Sequence, residues 1–227
     1  MFSFDYVLLL GVLLAAADLA FVEVQFTPLG SSWPWHLLIV SLFMAYAAIR
    51  FDSRSLFSLA LSTFAAWRGV SVSFSEPALW WTRVESVRWN AILCGLVFIG
   101  LGSYAKRSGR KPHFQPVSLH LGWLLVLGAL ISGGSLPEYL FYSSNHPAAA
   151  AYIVLLLLTC AGLAWFSFKR RRFMLFLYAV FGIYIGLCQL VLLQSRDPKV
   201  IVFCTGAGAV LLLAGLWKAQ RKMKETS

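Results

Sequence analysis

The sequence predicts an all-α, polytopic transmembrane helix bundle of about eight membrane-spanning helices, with N- and C-termini on the cytoplasmic side. Three observations carry this expectation. The composition is too apolar for a water-soluble domain, apolar runs of bilayer-crossing length follow one another along the chain, and basic residues gather in every second connection. Over 227 residues the chain is 59% hydrophobic and 12% charged, with a mean hydropathy of +0.75. A soluble domain is about half apolar and a quarter charged.

A hydrocarbon core about 30 Å thick is crossed by about 20 apolar residues in a helix. Runs of this kind fall at 6–26, 34–50, 55–74, 89–106, 116–134, 147–168, 172–194 and 199–218. The first contains Asp18 and Glu23. With Asp5 and no Lys or Arg ahead of its apolar core, it reads as a retained helix and not a cleaved signal. The second closes on Arg50, and the third carries Arg68 in its interior. The fourth ends in Lys106-Arg107. Pro116 suits the first turn of the fifth, which contains His120. The sixth follows Asn145-His146-Pro147, which ends the short outer segment ahead of it. The seventh carries Gly182 and Gly186 with Gln189 on the same stripe; small residues at this spacing let helices approach closely, here as internal packing. The eighth leads into a basic tail over 218–227.

Charge supports the count. Arg50 and Arg54 follow the second run, Lys106, Arg107, Arg110 and Lys111 the fourth, and Lys169, Arg170, Arg171 and Arg172 the sixth. With Lys218, Arg221, Lys222 and Lys224 in the tail, these are fourteen of the nineteen basic residues. The opposite connections hold only Arg83, Arg88, Arg196 and Lys199. Because cationic loops stay in the cytoplasm, the alternation sets the orientation, and the net charge of +10 needs membrane lipids but no nucleic acid as partner. The chain reads as a single integral membrane domain over 1–227. Two outer segments look structured: 75–88, where Ser75, Glu76 and Pro77 suit the start of a helix lying at the interface, and Ser135 to Tyr142.

Arg68 is the residue that most needs explanation. It falls about 20 Å along the third helix, and Asp18 about 18 Å along the first. An isolated arginine at mid-bilayer costs from about 3 to more than 10 kcal/mol, and its guanidinium does not deprotonate. Asp18, with Glu23 as second acceptor, is therefore the expected partner. Ser71 and Ser75 share the Arg68 stripe and Gln25 shares that of Asp18, so the two stripes predict a polar cleft that is either structural or ligand-binding. His36, Glu76, Glu138 and His146 are further polar candidates on the outer face. Cys94, Cys160, Cys188 and Cys204 form no ligand spacing and His120 has no companion ligand, so neither metal nor cofactor is expected. No hydrolase, metalloprotease or phosphate-loop motif is present, and no catalytic residue is assigned.

RFDSRSLFSLALSTFAAWRGVSVSF (Arg50 to Phe74), RWNAILCGLVFIGLGSYAKR and KPHFQPVSLHLGWLLVLGALISG together resemble a bacterial family of polytopic membrane proteins classed as a domain of unknown function. The resemblance covers most of the chain from about Trp33 to Leu193. It implies a bacterial inner-membrane location and supplies no functional residues. The sequence expectation for function is transport, or membrane-embedded binding of a small or lipid-like ligand. An intramembrane enzyme acting on a lipid-linked substrate and a scaffold in a membrane complex are the alternatives.

Overall fold

The computed structural model describes residues 2–75, 80–109, 111–134, 146–194, 199, 202, 204–210, 212 and 215–217, and every regular element among them is helical. Seven long helices run α1 (Phe2–Phe26), α2 (Trp35–Phe51), α3 (Arg54–Ser75), α4 (Trp80–Arg107), α5 (Gln115–Gly133), α6 (His146–Lys169) and α7 (Phe173–Gln194). Short 3-10 turns occupy Gly30–Ser32 and Pro112–Phe114. Among the described residues, five stretches are long and apolar enough to cross a membrane: Asp5–Phe26, Glu85–Arg107, Pro112–Gly133, Ala148–Lys169 and Phe173–Gln194. Trp35–Phe51 and a last helix over Cys204–Trp217 are apolar but shorter. α3 has the length, at 22 residues, but Arg68 and its interspersed serines lower its apolarity. Five of the eight expected crossings thus meet both criteria.

The contacts divide the chain into two compact units, Met1–Val126 and Leu127–Ser227. The boundary falls inside α5. Within the first unit, Leu8, Leu9, Val12 and Ala16 of α1 pack against Val40, Met44, Ala47 and Ala48 of α2 and Leu56 and Ala60 of α3. α2 ends at Asp52, whose left-handed backbone (φ 60°) an aspartate tolerates better than most residues. Its N–H donates to Ala48 O. Buried Ser53 then receives the Leu56 N–H on its Oγ at 3.5 Å, starting α3 one residue after the turn.

A clasp holds this turn to the α4–α5 connection. Lys111 Nζ lies 2.8 Å from Asp52 Oδ1 and also donates to Ile49 O, while His113 Nε2 lies 3.2 Å from the same carboxylate oxygen. Beneath it, Phe57 and Phe114 stack with ring centroids 4.4 Å apart. The Lys111 hydrogen bond holds the Asp52 carboxyl below its ordinary value, with His113 and Arg54 adding in the same direction.

α4 and α5 cross with their backbones touching. A Cβ built on Gly95 would sit 2.6 Å from Gly122 O, and one built on Gly122 would sit 2.7 Å from Gly95 O. Such proximity is open only to residues without a side chain. Gly102, two turns along α4, would similarly meet Ser118 Cβ at 3.0 Å. In the second unit, Gly182 and Gly186 are buried against α6: a Cβ on Gly182 would overlap Cys160 Sγ, and one on Gly186 would lie 3.0 Å from Leu157 Cδ2. The pair packs internally. Gln189 on the same stripe is buried and donates to Ile131 O at 2.9 Å.

The helix expected over 75–88 is not a separate element. Ser75 closes α3, residues 76–79 lie outside the described residues, and α4 runs unbroken from Trp80 because neither Gly nor Pro interrupts it before Gly95. The expected segment Ser135 to Tyr142 also lies outside the described residues.

Two predictions follow from this packing and from the clasp. Gly95→Ala forces α4 and α5 apart and lowers thermal stability in detergent by about 1–3 kcal/mol, as overpacked contacts do. Gly128→Ala, where an added Cβ meets nothing within 4 Å, leaves stability unchanged or slightly raised. Asp52→Asn keeps the left-handed turn but removes the charge. Since the folded carboxyl is depressed, its contribution is present above the unfolded value of about 3.9 and is lost as pH falls through the folded one. The variant therefore melts about 1–2 °C below the parent at neutral pH and low salt, as an exposed pair allows, and the difference closes below about pH 4.

Candidate functional site

The first unit builds a site around Arg68, at the contact between α3 and α4. The two helices run antiparallel: stepping back along α3 from Arg68 to Phe64 corresponds to stepping forward along α4 from Asn90 to Phe98. Asn90 is buried and holds Arg68 by three hydrogen bonds. Its Oδ1 accepts from Arg68 Nε at 3.1 Å and Nη2 at 2.9 Å, and its Nδ2 donates to the Arg68 carbonyl at 2.9 Å. A guanidinium has donors only, so the amide oxygen must face it, and the amide nitrogen is left to satisfy the backbone. The Trp67 ring adds a cation–π contact, with Arg68 Cζ 5.5 Å from its centroid.

This contact orients the guanidinium without neutralising it, because an asparagine brings a dipole and no charge. No carboxylate among the described residues lies within ion-pair distance of Arg68. Glu85, on the same helix as Asn90, is directed elsewhere. It takes Arg88 Nη1 at 3.1 Å and Trp89 Nε1 at 3.1 Å, and its position on α4 is well away from the Asn90 face.

Beside the guanidinium is a pocket of about 280 Å3. Its small volume of side chain explains it: Ala65, Ala66 and Gly69 on α3 and Ala91 on α4 leave space that larger residues would fill, and Val87, Cys94 and Leu125 close it. A Cβ built on Gly69 meets nothing within 4 Å. The walls are apolar apart from Arg68 and Asn90, so the pocket joins a fixed cation to a hydrocarbon-like lining. Depth follows from register. Asn90 is five residues into the Glu85–Arg107 stretch, or about 7.5 Å from its end at 1.5 Å per residue. The charge is therefore nearer one end of the span than the mid-bilayer position expected from α3 alone.

The expected partners of Arg68 are not brought to it. Asp18 and Gln25 are exposed on α1. Glu23 is half-buried and accepts the Leu29 N–H at 3.4 Å, closing the turn that follows α1. The reason is helical phase: α1 packs on α2 and α3 through Leu8, Leu9, Val12 and Ala16, and Asp18 lies some 120° around the helix from Val12 at 100° per residue. Ser71 and Ser75 belong to α3, but their side chains lie outside the described residues. His36 is half-buried at the start of α2. Glu76 and Glu138 lie outside the described residues, and His146 opens α6 with its side chain likewise outside. No group of three or more His, Cys, Asp or Glu suited to a metal ion occurs among the described residues.

Asn90, the buried partner of Arg68, is not among the residues that the sequence singles out. Arg68 stands seven residues before the end of α3 and Asn90 ten residues into α4, and it is the antiparallel packing of the two helices that brings them level. No family model, curated protein or solved structure matches this chain, so any functional reading rests on the chemistry of the site itself.

Proposed function

We propose that the chain is a multi-pass protein of a bacterial inner membrane, with eight crossings and cytoplasmic termini, that binds a small or lipid-like anion at the Arg68–Asn90 pocket, as a carrier or a membrane-embedded binding protein. The alternation of basic connections supports the orientation. One observation carries the ligand reading: a guanidinium that cannot lose its proton is oriented by a neutral amide, has no carboxylate beside it among the described residues, and borders an apolar pocket. An amphiphile answers each feature. Its anionic head meets the free edge of the guanidinium, and its apolar part meets alanine, valine and leucine walls.

Position favours such a ligand too. On the proposed topology the Glu85 end of α4 faces outward, so the pocket opens within about 10 Å of the interface, a depth accessible to headgroups and to single-chain amphiphiles. Asp18, Glu23 and His120, the residues an intramembrane enzyme would call on, line no part of this pocket. The binding reading is the one that the geometry supports.

The test is equilibrium binding to the purified protein in lipid nanodiscs, with lauryl phosphate compared with lauryl alcohol. The phosphate binds at least about tenfold more tightly, a difference of about 1.4 kcal/mol. Arg68→Leu removes the preference. Asn90→Asp also removes it while keeping the protein folded, since it places a carboxylate where the amide oxygen was and neutralises the cation within the protein. Equal binding of alcohol and phosphate, or a preference that survives both substitutions, contradicts the proposal.

A further inference from the structure

The first helix carries a second unexplained charge. Leu8, Leu9, Val12 and Ala16 turn inward against α2 and α3, and the opposite side of α1 is exposed among the described residues. On that outer side Val7, Gly11, Leu14, Asp18, Phe21 and Gln25 follow one another at alternating steps of four and three residues. All six are exposed, with Val7 at 69%, Leu14 at 58% and Phe21 at 64%. That spacing is the heptad seam by which one helix packs along another at a shallow left-handed crossing. Gly11 has open space around it, and a Cβ built there meets nothing within 4 Å. It also opens onto a groove of about 430 Å3 between α1 and α2, where Phe43, Tyr46 and Phe51 form the far wall.

Asp18 is the polar position in this seam. No ion pair or hydrogen bond satisfies it among the described residues, although it stands well inside Asp5–Phe26, the stretch of α1 apolar enough to cross a membrane. Phe26, the nearer end, is eight residues away, or about 12 Å along the helix. An aspartate side chain is too short to reach the interface over that distance, and the amine of a lipid headgroup does not descend to it. A second copy docked symmetrically through the same seam would bring two carboxylates together. A cation carried into the membrane by another helix answers the charge at this depth.

We propose that the outer seam of α1, with the groove at Gly11, docks a transmembrane helix of a partner protein that carries a lysine or arginine at the depth of Asp18. The apolar positions give contact area, Gly11 admits close approach, and Asp18 sets register and partner, as a single polar position does in a helix pair. Gln25, one heptad further, offers a hydrogen bond on the same line. This inference stands apart from the ligand reading at Arg68, because none of its residues lines that pocket.

Förster transfer between the labelled full-length protein and synthetic transmembrane helices in phosphatidylcholine vesicles tests it. The probes are two Leu/Ala helices of about 20 residues, identical except for a central Lys in one and Leu in the other. The Lys helix associates at least about tenfold more tightly, Asp18→Leu abolishes the difference, and Gly11→Leu weakens association of both. Asp18 has no packing role, so the Asp18→Leu protein keeps its thermal midpoint and its binding of lauryl phosphate. Equal association of the two probes overturns the proposal, as does a Lys preference that survives Asp18→Leu. Asp18-dependent self-association of the protein in the absence of probe assigns the seam to a second copy instead. Loss of the Lys advantage on adding phosphatidylethanolamine assigns it to a lipid amine. Either result also overturns the proposal.

Discussion

The contact between Arg68 and Asn90 is the constraint around which the first unit is organised. A guanidinium in an apolar setting has two routes to satisfaction, a carboxylate that cancels its charge or dipoles that occupy its donors and leave the charge in place. This chain uses the second. Three hydrogen bonds to one amide fix the rotation of α3 against α4, since both the side chain and the main chain of Arg68 are engaged. The same bonds leave one edge of the cation without an acceptor among the described residues, and small residues on both helices keep that edge accessible. Rigidity and an open charge therefore have a common origin.

Small residues act in two distinct ways along the chain. At Gly95, Gly122, Gly182 and Gly186 the missing side chain is filled by a neighbouring helix, through backbone contact in the first pair and through Cys160 and Leu157 in the second. At Gly11 and Gly69, as at Gly100, Gly128 and Gly162, an added Cβ would meet nothing within 4 Å among the described residues. In a membrane, where lipid tails are as apolar as leucine, close packing is the main attraction between helices. A glycine whose missing side chain is filled by a neighbouring helix contributes to that packing.

Much of the architecture was legible because apolar length and charge placement are local properties. The ends of α2, α4 and α6 at Phe51, Arg107 and Lys169 each fall one residue beyond the apolar runs that predict them, and the Gly182–Gly186 stripe could be read as an internal face from its spacing. Helical phase is different. Which side of α1 meets α2 is decided by the shapes of Val12, Met44 and Ala48, and the hydropathy of α1 is almost uniform around its axis, so no periodicity points Asp18 inward or outward. Pairing Asp18 with Arg68 by depth and opposite sign therefore chose two residues at similar heights on faces that do not meet. Asn90 escaped notice for the converse reason: it carries no charge, and its importance arises only from the α3–α4 register. The unbroken start of α4 was hidden by Ser75, Glu76 and Pro77, whose helix-start pattern lies ahead of a longer helix than the one expected there.

The most direct measurement of an uncancelled charge at this pocket is the local electrostatic potential. With the native cysteines replaced and Gly69→Cys introduced, reaction rates are compared for an anionic and a cationic methanethiosulfonate reagent of similar size in proteoliposomes. An open guanidinium makes the anionic reagent several times faster relative to its reaction with a free thiol, and Arg68→Leu or Asn90→Asp removes that advantage. Equal relative rates, or a faster cationic reagent, would mean that the charge of Arg68 is cancelled by a group elsewhere in the protein.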